Sequence, residues 1–127
     1  KLINKEKINN ITIYKDNKNL SNFFNKMDIQ VLTSNTESSP TVLWEGMYMK
    51  KIVLTTDVGD VRKFIKNGVN GFVLRKDIRV FKSKILSIFN NKFKKRYMMK
   101  KSRQTAIKNF NIKFFENEYT NIINKII

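Results

Sequence analysis

The chain has 127 residues, carries 26 Lys and Arg against 10 Asp and Glu for a net charge of +16, and contains neither cysteine nor histidine. That length fits one domain with a modest core. The missing cysteine excludes a disulfide framework and thiolate metal sites, and the missing histidine removes the commonest general base and metal ligand.

In chain order, the first strand is predicted at Ile11–Tyr14, followed by a short helix at Leu20–Met27. "IQVL" at Ile29–Leu32 and "KIVL", giving a strand at Ile52–Thr55, are near-continuous apolar runs, as expected of strands covered on both faces. Between them Thr33–Ser39 reads as a loop. A helix over Thr41–Met49 follows, with Ser39 as N-cap and Pro40 at the first helical position. Within it Trp44 and Met47 stand at helical spacing and are expected in the core. A short helix at Asp60–Lys66 stops near Gly68, and Phe72–Leu74 is the fourth strand. From Ile78 the pattern is helical, broken at Asn90–Asn91, then resumed over Phe93–Lys108 and Phe114–Ile126. Strands alternating with helices predict an α/β fold with a parallel sheet. No apolar run approaches the ~20 residues that span a bilayer.

The charge has a compositional source. The chain holds 21 Lys, 17 Asn and 16 Ile, whose codons are all A/T-rich, and selection for nucleic acid gives no reason to raise Asn and Ile. Arginine, the preferred reader of phosphates and base edges, occurs five times. No specific nucleic-acid partner is expected. A basic face would still favour an anionic lipid surface, so the expected location is cytoplasmic with peripheral contact to the membrane.

The stretch "ESSPTVLWE" places Glu37 in the loop after a strand and Glu45 in the second turn of the next helix. Ligands of open parallel sheets bind at the carboxyl ends of strands, and a helix N-terminus there offers free N–H groups to a phosphate. Carboxylates repel phosphates but accept strong hydrogen bonds from sugar hydroxyls. Glu37 and Glu45 on either side of a diphosphate would therefore suit a sugar–diphosphate–nucleoside. Ser38 and Ser39 could cap the helix or touch such a ligand. Asp57 and Gly59 could shape a turn or contribute to the site.

Several anchors in order resemble the C-terminal domain of retaining GT-B glycosyltransferases: Glu37 and Glu45 as an E-x7-E motif, Asp28 ahead of Ser34, "TD-x-G" at Thr56, Asp57 and Gly59, and "G-x-x-G" at Gly68 and Gly71. The resemblance is strongest over Asp28–Leu74. It implies part of a Rossmann-like doubly wound parallel sheet of about three to four strands with C-terminal helices. It implies that 1–127 is a single partial domain, with the acceptor-binding domain and the first βα units missing. The start at Lys1, without a methionine, is expected of a fragment.

The same resemblance makes Glu37 the catalytic glutamate at the donor sugar and sets Glu45 on the ribose hydroxyls. Ser38, Ser39, Thr41 and Val42 would line sugar and phosphate. The implied reaction moves a hexose from a nucleotide diphosphate sugar to a saccharide or lipid-linked acceptor, with no metal and no cofactor. A non-catalytic, truncated fragment that completes another chain is the first alternative, and a basic nucleic-acid-binding domain ranks last. Where the family has a small residue, a glycine and a proline, this chain has Tyr48, Lys50 and Ile52, so Lys50 is expected to carry a positive φ at a helix end. Lys63, at a position where the family commonly has glutamate, is expected to alter the charge near the donor.

Overall fold

The computed structural model describes residues 10–12, 20–111, 120 and 123–124. Its elements are α1 (Leu20–Asn25), β1 (Ile29–Leu32), α2 (Thr41–Tyr48), β2 (Ile52–Thr56), α3 (Val61–Phe64), β3 (Gly71–Leu74), α4 (Ile78–Phe89) and α5 (Lys92–Asn109). The strands form one parallel sheet in the order β1-β2-β3. Ile29 pairs with Ile52 and Leu32 with Thr55, and Val53 pairs with Gly71 and Thr56 with Leu74. The α/β parallel architecture expected from the alternating pattern is the one formed. The strand expected at Ile11–Tyr14 and the helix at Phe114–Ile126 lie outside the described residues, except for irregular Ile11 and Thr12 and helical Thr120, Ile123 and Asn124.

Every residue of β2 is buried, which explains its unbroken apolar and β-branched run. Alternation along the strands feeds two cores. Val53 and Val73 pack with Leu43, Trp44 and Met47 of α2 on one face. Ile52, Leu54 and Phe72 pack with Phe81 and Ile88 of α4 on the other. The helix α5 reaches both, placing Ala106 in the first core and Met98 in the second. Trp44 stacks on Phe110 at 4.6 Å between centroids, and Phe64 meets both rings edge-on.

Polar bonds fasten α5 beneath the starts of all three strands. Lys95 Nζ lies 2.8 Å from Asp28 Oδ2, just before β1. Ser102 Oγ donates to Lys51 O at 2.6 Å, just before β2. Asn70 Nδ2, just before β3, donates to Thr105 Oγ1 at 2.8 Å. The amino-terminal edge of the sheet is thereby closed, and the carboxyl edge is left to loops.

Two local expectations are corrected, and a third is extended. Pro40, not Ser39, is the N-cap of α2, and no side chain caps it. The Ser39 hydroxyl instead accepts the indole N–H of Trp44 at 3.1 Å, because a buried indole donor costs more to leave unpaired than a helix end that water can reach. The helix α3 ends at Phe64 rather than Lys66. Asn70, 1% exposed, captures the chain there, accepting from Lys66 N at 2.7 Å and donating to Phe64 O at 2.9 Å. The break at Asn90–Asn91 is also a start, since the Asn91 side chain accepts from Lys94 N and caps α5.

The C-terminal end of α2 follows the sequence expectation. Lys50 has φ 62°. Lys51 N bonds Gly46 O at 2.8 Å and Lys50 N bonds Met47 O at 3.0 Å, the Schellman pattern with lysine in the position that favours glycine.

Candidate functional site

Because the strands are parallel, the loops 33–40, 57–60 and 75–77 all emerge at one edge. The first of them is held from several sides. Thr56 Oγ1, at the end of β2, donates to Ser34 O at 2.6 Å. Ser34 Oγ donates to Glu37 Oε1 at 2.8 Å. Asp60 N donates to Ser38 O at 3.1 Å. Gly59 makes that last approach feasible: it has φ 53°, and a Cβ there would stand 2.0 Å from Ser38 O. Thr56, Gly59 and Ser34 therefore build the loop that presents Glu37.

Glu37 is half-buried, with one carboxylate oxygen fixed by Ser34 and the other without a protein partner among the described residues. Ser38 and Ser39 are exposed beside it. Thr41, Val42 and Glu45 lie on the exposed face of α2, whose other face buries Leu43, Trp44, Gly46 and Met47. The Glu45 side chain has no hydrogen bond or ion pair with a described residue. Four residues of helical rise put it about 6 Å along the axis from Thr41. The backbone N–H groups of Thr41 and Val42 take part in none of the hydrogen bonds among the described residues. The result is an uncapped helix start flanked by two carboxylates.

A cleft of about 240 Å³ crosses the carboxyl ends of the strands, lined by Ser34, Asn35, Thr56, Asp57, Arg75 and Lys76 among others. Lys76 Nζ bonds Asn35 Oδ1, joining the first and third loops across the sheet. Asp57 is held by Arg62 at 2.8 Å, and this hydrogen bond raises the guanidinium pKa above its ordinary value. Asp77 is held below the ordinary carboxylate range, chiefly by the Arg79 side chain and backbone. Arg75 and Lys76 escaped the sequence reading. Their signal was position, two adjacent cations directly after a strand. Lys63, in α3, follows the second of these loops. It lines a different cleft, with Lys66, Thr105 and Lys108 along α5. Among the described residues no group of three or more Asp or Glu could hold a metal ion, and no helix is long and apolar enough to cross a membrane.

An open parallel sheet with helices on both faces and loops gathered at its carboxyl edge defines an α/β domain of the Rossmann-like class. Residues 1–105 match the family Glycosyl transferases group 1, and the chain belongs to that family. It is similar to a glycosyltransferase from Rickettsia africae ESF-5, with a TM-score of 0.79 and 22% identity over 98% of this chain and 34% of that one. It is also similar to the C-terminal domain of a glycosyl transferase group 1 family protein from Francisella tularensis, with a TM-score of 0.75 and 16% identity over 87% of this chain and 60% of that one. The chain thus spans about a third of the Rickettsia chain and three-fifths of the Francisella domain. No curated protein matches it.

Proposed function

We propose that the chain forms the donor half-site of a retaining GT-B glycosyltransferase of the E-x7-E kind, acting on the cytoplasmic side. The observation that carries this reading is Glu37, oriented by Ser34 beside an uncapped helix start. The donor is a nucleotide diphosphate sugar. Glu37 accepts hydrogen bonds from hydroxyls of the sugar to be moved, and Glu45 accepts them from the ribose. Between them the diphosphate faces the N–H groups of Thr41 and Val42, with Ser38 and Ser39 at its side. Arg75 and Lys76 add positive charge at the same edge.

In the transfer, the bond from the anomeric carbon to the diphosphate breaks and the diphosphate leaves with the electron pair. The oxygen of an acceptor hydroxyl, of a saccharide or a lipid-linked saccharide, forms the new bond to the anomeric carbon, and its proton goes to the departing diphosphate. Dipoles and cations stabilise the departing charge, so the step calls for no metal or cofactor.

Calorimetric titration of the chain with UDP- and GDP-sugars tests the reading. Two cations, one already bonded to Asn35 and the other close to Asp77, hold a diphosphate weakly. The expected Kd is therefore millimolar, corresponding to about 4 kcal/mol. Binding should disappear in a Glu45→Gln/Arg75→Gln variant. Heat that persists unchanged in that variant would place the nucleotide elsewhere and overturn the half-site.

A further inference from the structure

The segment KFKKRYMMKKSRQTAIKN forming α5 has eight Lys or Arg among its eighteen residues and no Asp or Glu. Met98, Ser102 and Ala106, spaced by four, are buried inward. The opposite face runs through Phe93, Arg96, Lys100, Gln104 and Ile107. Phe93 is 88% exposed and Ile107 44%. A groove of about 450 Å³ follows this face, lined by Met99 and Ile107 together with Lys50, Arg96, Lys100 and Arg103. Gln104 also borders a second cleft of about 300 Å³, where Lys63, Lys66, Lys101 and Lys108 gather. Neither cleft has a carboxylate in its lining. Among the described residues, the only ion pair formed by α5 is Lys95 with Asp28.

Codon composition raises lysine everywhere, but it does not remove carboxylates from one segment. None of the ten Asp and Glu lies between Asp77 and Glu116. The segregation is positional, and α5 lies at its centre.

We propose that the outer face of α5 docks onto an anionic lipid bilayer. Eight cations around the two clefts complement a negatively charged surface, and Phe93, Met99 and Ile107 offer apolar groups to the headgroup boundary. A single-stranded nucleic acid would call for open ring faces on which bases stack. Of the two rings on α5, Lys101 covers Tyr97 at 5.7 Å and only Phe93 is uncovered; Arg103 covers the nearby Tyr48 at 5.2 Å, and the groove has no ring in its lining. Because α5 underlies the amino-terminal edge of the sheet, docking leaves Glu37 and its loops at the opposite edge, facing water. The proposal does not depend on the donor half-site.

The test is co-sedimentation of the chain with vesicles of phosphatidylcholine, alone or with about 30 mol% phosphatidylglycerol, at about 0.1 M salt. Binding is expected only to the anionic vesicles. Each cation near such a surface contributes roughly five-fold, so Arg96→Gln/Lys100→Gln is expected to lower the partition roughly 25-fold. Phe93→Ser should lower it further. Arg79→Gln/Lys82→Gln removes the same charge from α4 and is expected to change the partition by less than about two-fold, since only cations close to the surface count. Circular dichroism confirms that each variant stays folded. An equal loss from the α4 pair would make net charge the cause and overturn the proposal. So would an unchanged α5 double variant, or binding to a single-stranded RNA that is tighter than to the vesicles and lost in the same α5 variant.

Discussion

Glu37 and Glu45 carry the same charge on neighbouring stretches of chain but meet different surroundings. Ser34 fixes one oxygen of Glu37, whereas Glu45 stands free on the surface of α2. A carboxylate held in place suits a contact that must be exact at the reacting sugar, and a free one suits a contact that only anchors. In an active glycosyltransferase containing this segment, Glu37→Gln is expected to lower kcat by 10²-fold or so while KM moves little. Glu45→Gln is expected to raise the donor KM with kcat nearly unchanged. Steady-state kinetics with varied donor checks both, and the reverse pattern would exchange the two roles. Lys50 makes a second residue-scale case. A left-handed conformation costs a side chain about 1–2 kcal/mol, and a glycine regains some flexibility in the unfolded chain. Lys50→Gly is therefore expected to stabilise the fold by about 1 kcal/mol in urea unfolding.

Among the elements, α5 depends on a contact that carries an electrostatic cost. Lys51 is 6% exposed beneath it, and burial pushes its ammonium below the ordinary lysine range, with Asp28 pulling the other way. The folded pKa is thus lower than the unfolded one. Between the two the unfolded chain binds more protons, so stability rises with pH across that window, up to about 10.4. Below the lowered pKa the penalty is fully present. Lys51→Met keeps the volume and removes the charge, so it is expected to be the more stable chain at pH 7. The gap in urea midpoints should close as the pH approaches 10.5, and a gap independent of pH would mean that the ammonium reaches solvent. The elements themselves were largely legible, because β2 is buried along its whole length and its apolar run says so. What escaped the sequence were ends set by partners far away. Ser39 lost its capping role to Trp44, and α3 stopped two residues early because Asn70 bonds back to Phe64 and Lys66. Neither bond leaves a local pattern.

At the level of the whole molecule, α5 joins two cores that lie on opposite faces of the sheet. Trp44, the only tryptophan, reports on the first core, and backbone circular dichroism reports on both. If α5 couples them, the two signals should share one urea midpoint. An earlier fluorescence transition would show that the Trp44 side opens by itself. The candidate site was legible at the same scale only in part. Motif order pointed to the loop with Glu37 and to Glu45 on the helix that follows it. The bond from Ser34 to Glu37 and the cations Arg75 and Lys76 became visible only once parallel pairing had brought three distant loops to one edge.

The side chain that ends α3 also sets a chemical clock. Asn70 precedes Gly71, the dipeptide in which a backbone nitrogen most readily attacks the side-chain amide to form a succinimide. In the folded chain that amide is buried and engaged with Lys66, Phe64 and Thr105, so its carbon cannot swing onto the glycine nitrogen. Deamidation must then wait for local opening, and the aspartate it leaves has no N–H to return to Phe64 and Thr105. Chemical ageing and loss of fold at this corner are therefore one process, and stored protein should gain mass at Asn70 only as fast as that corner opens.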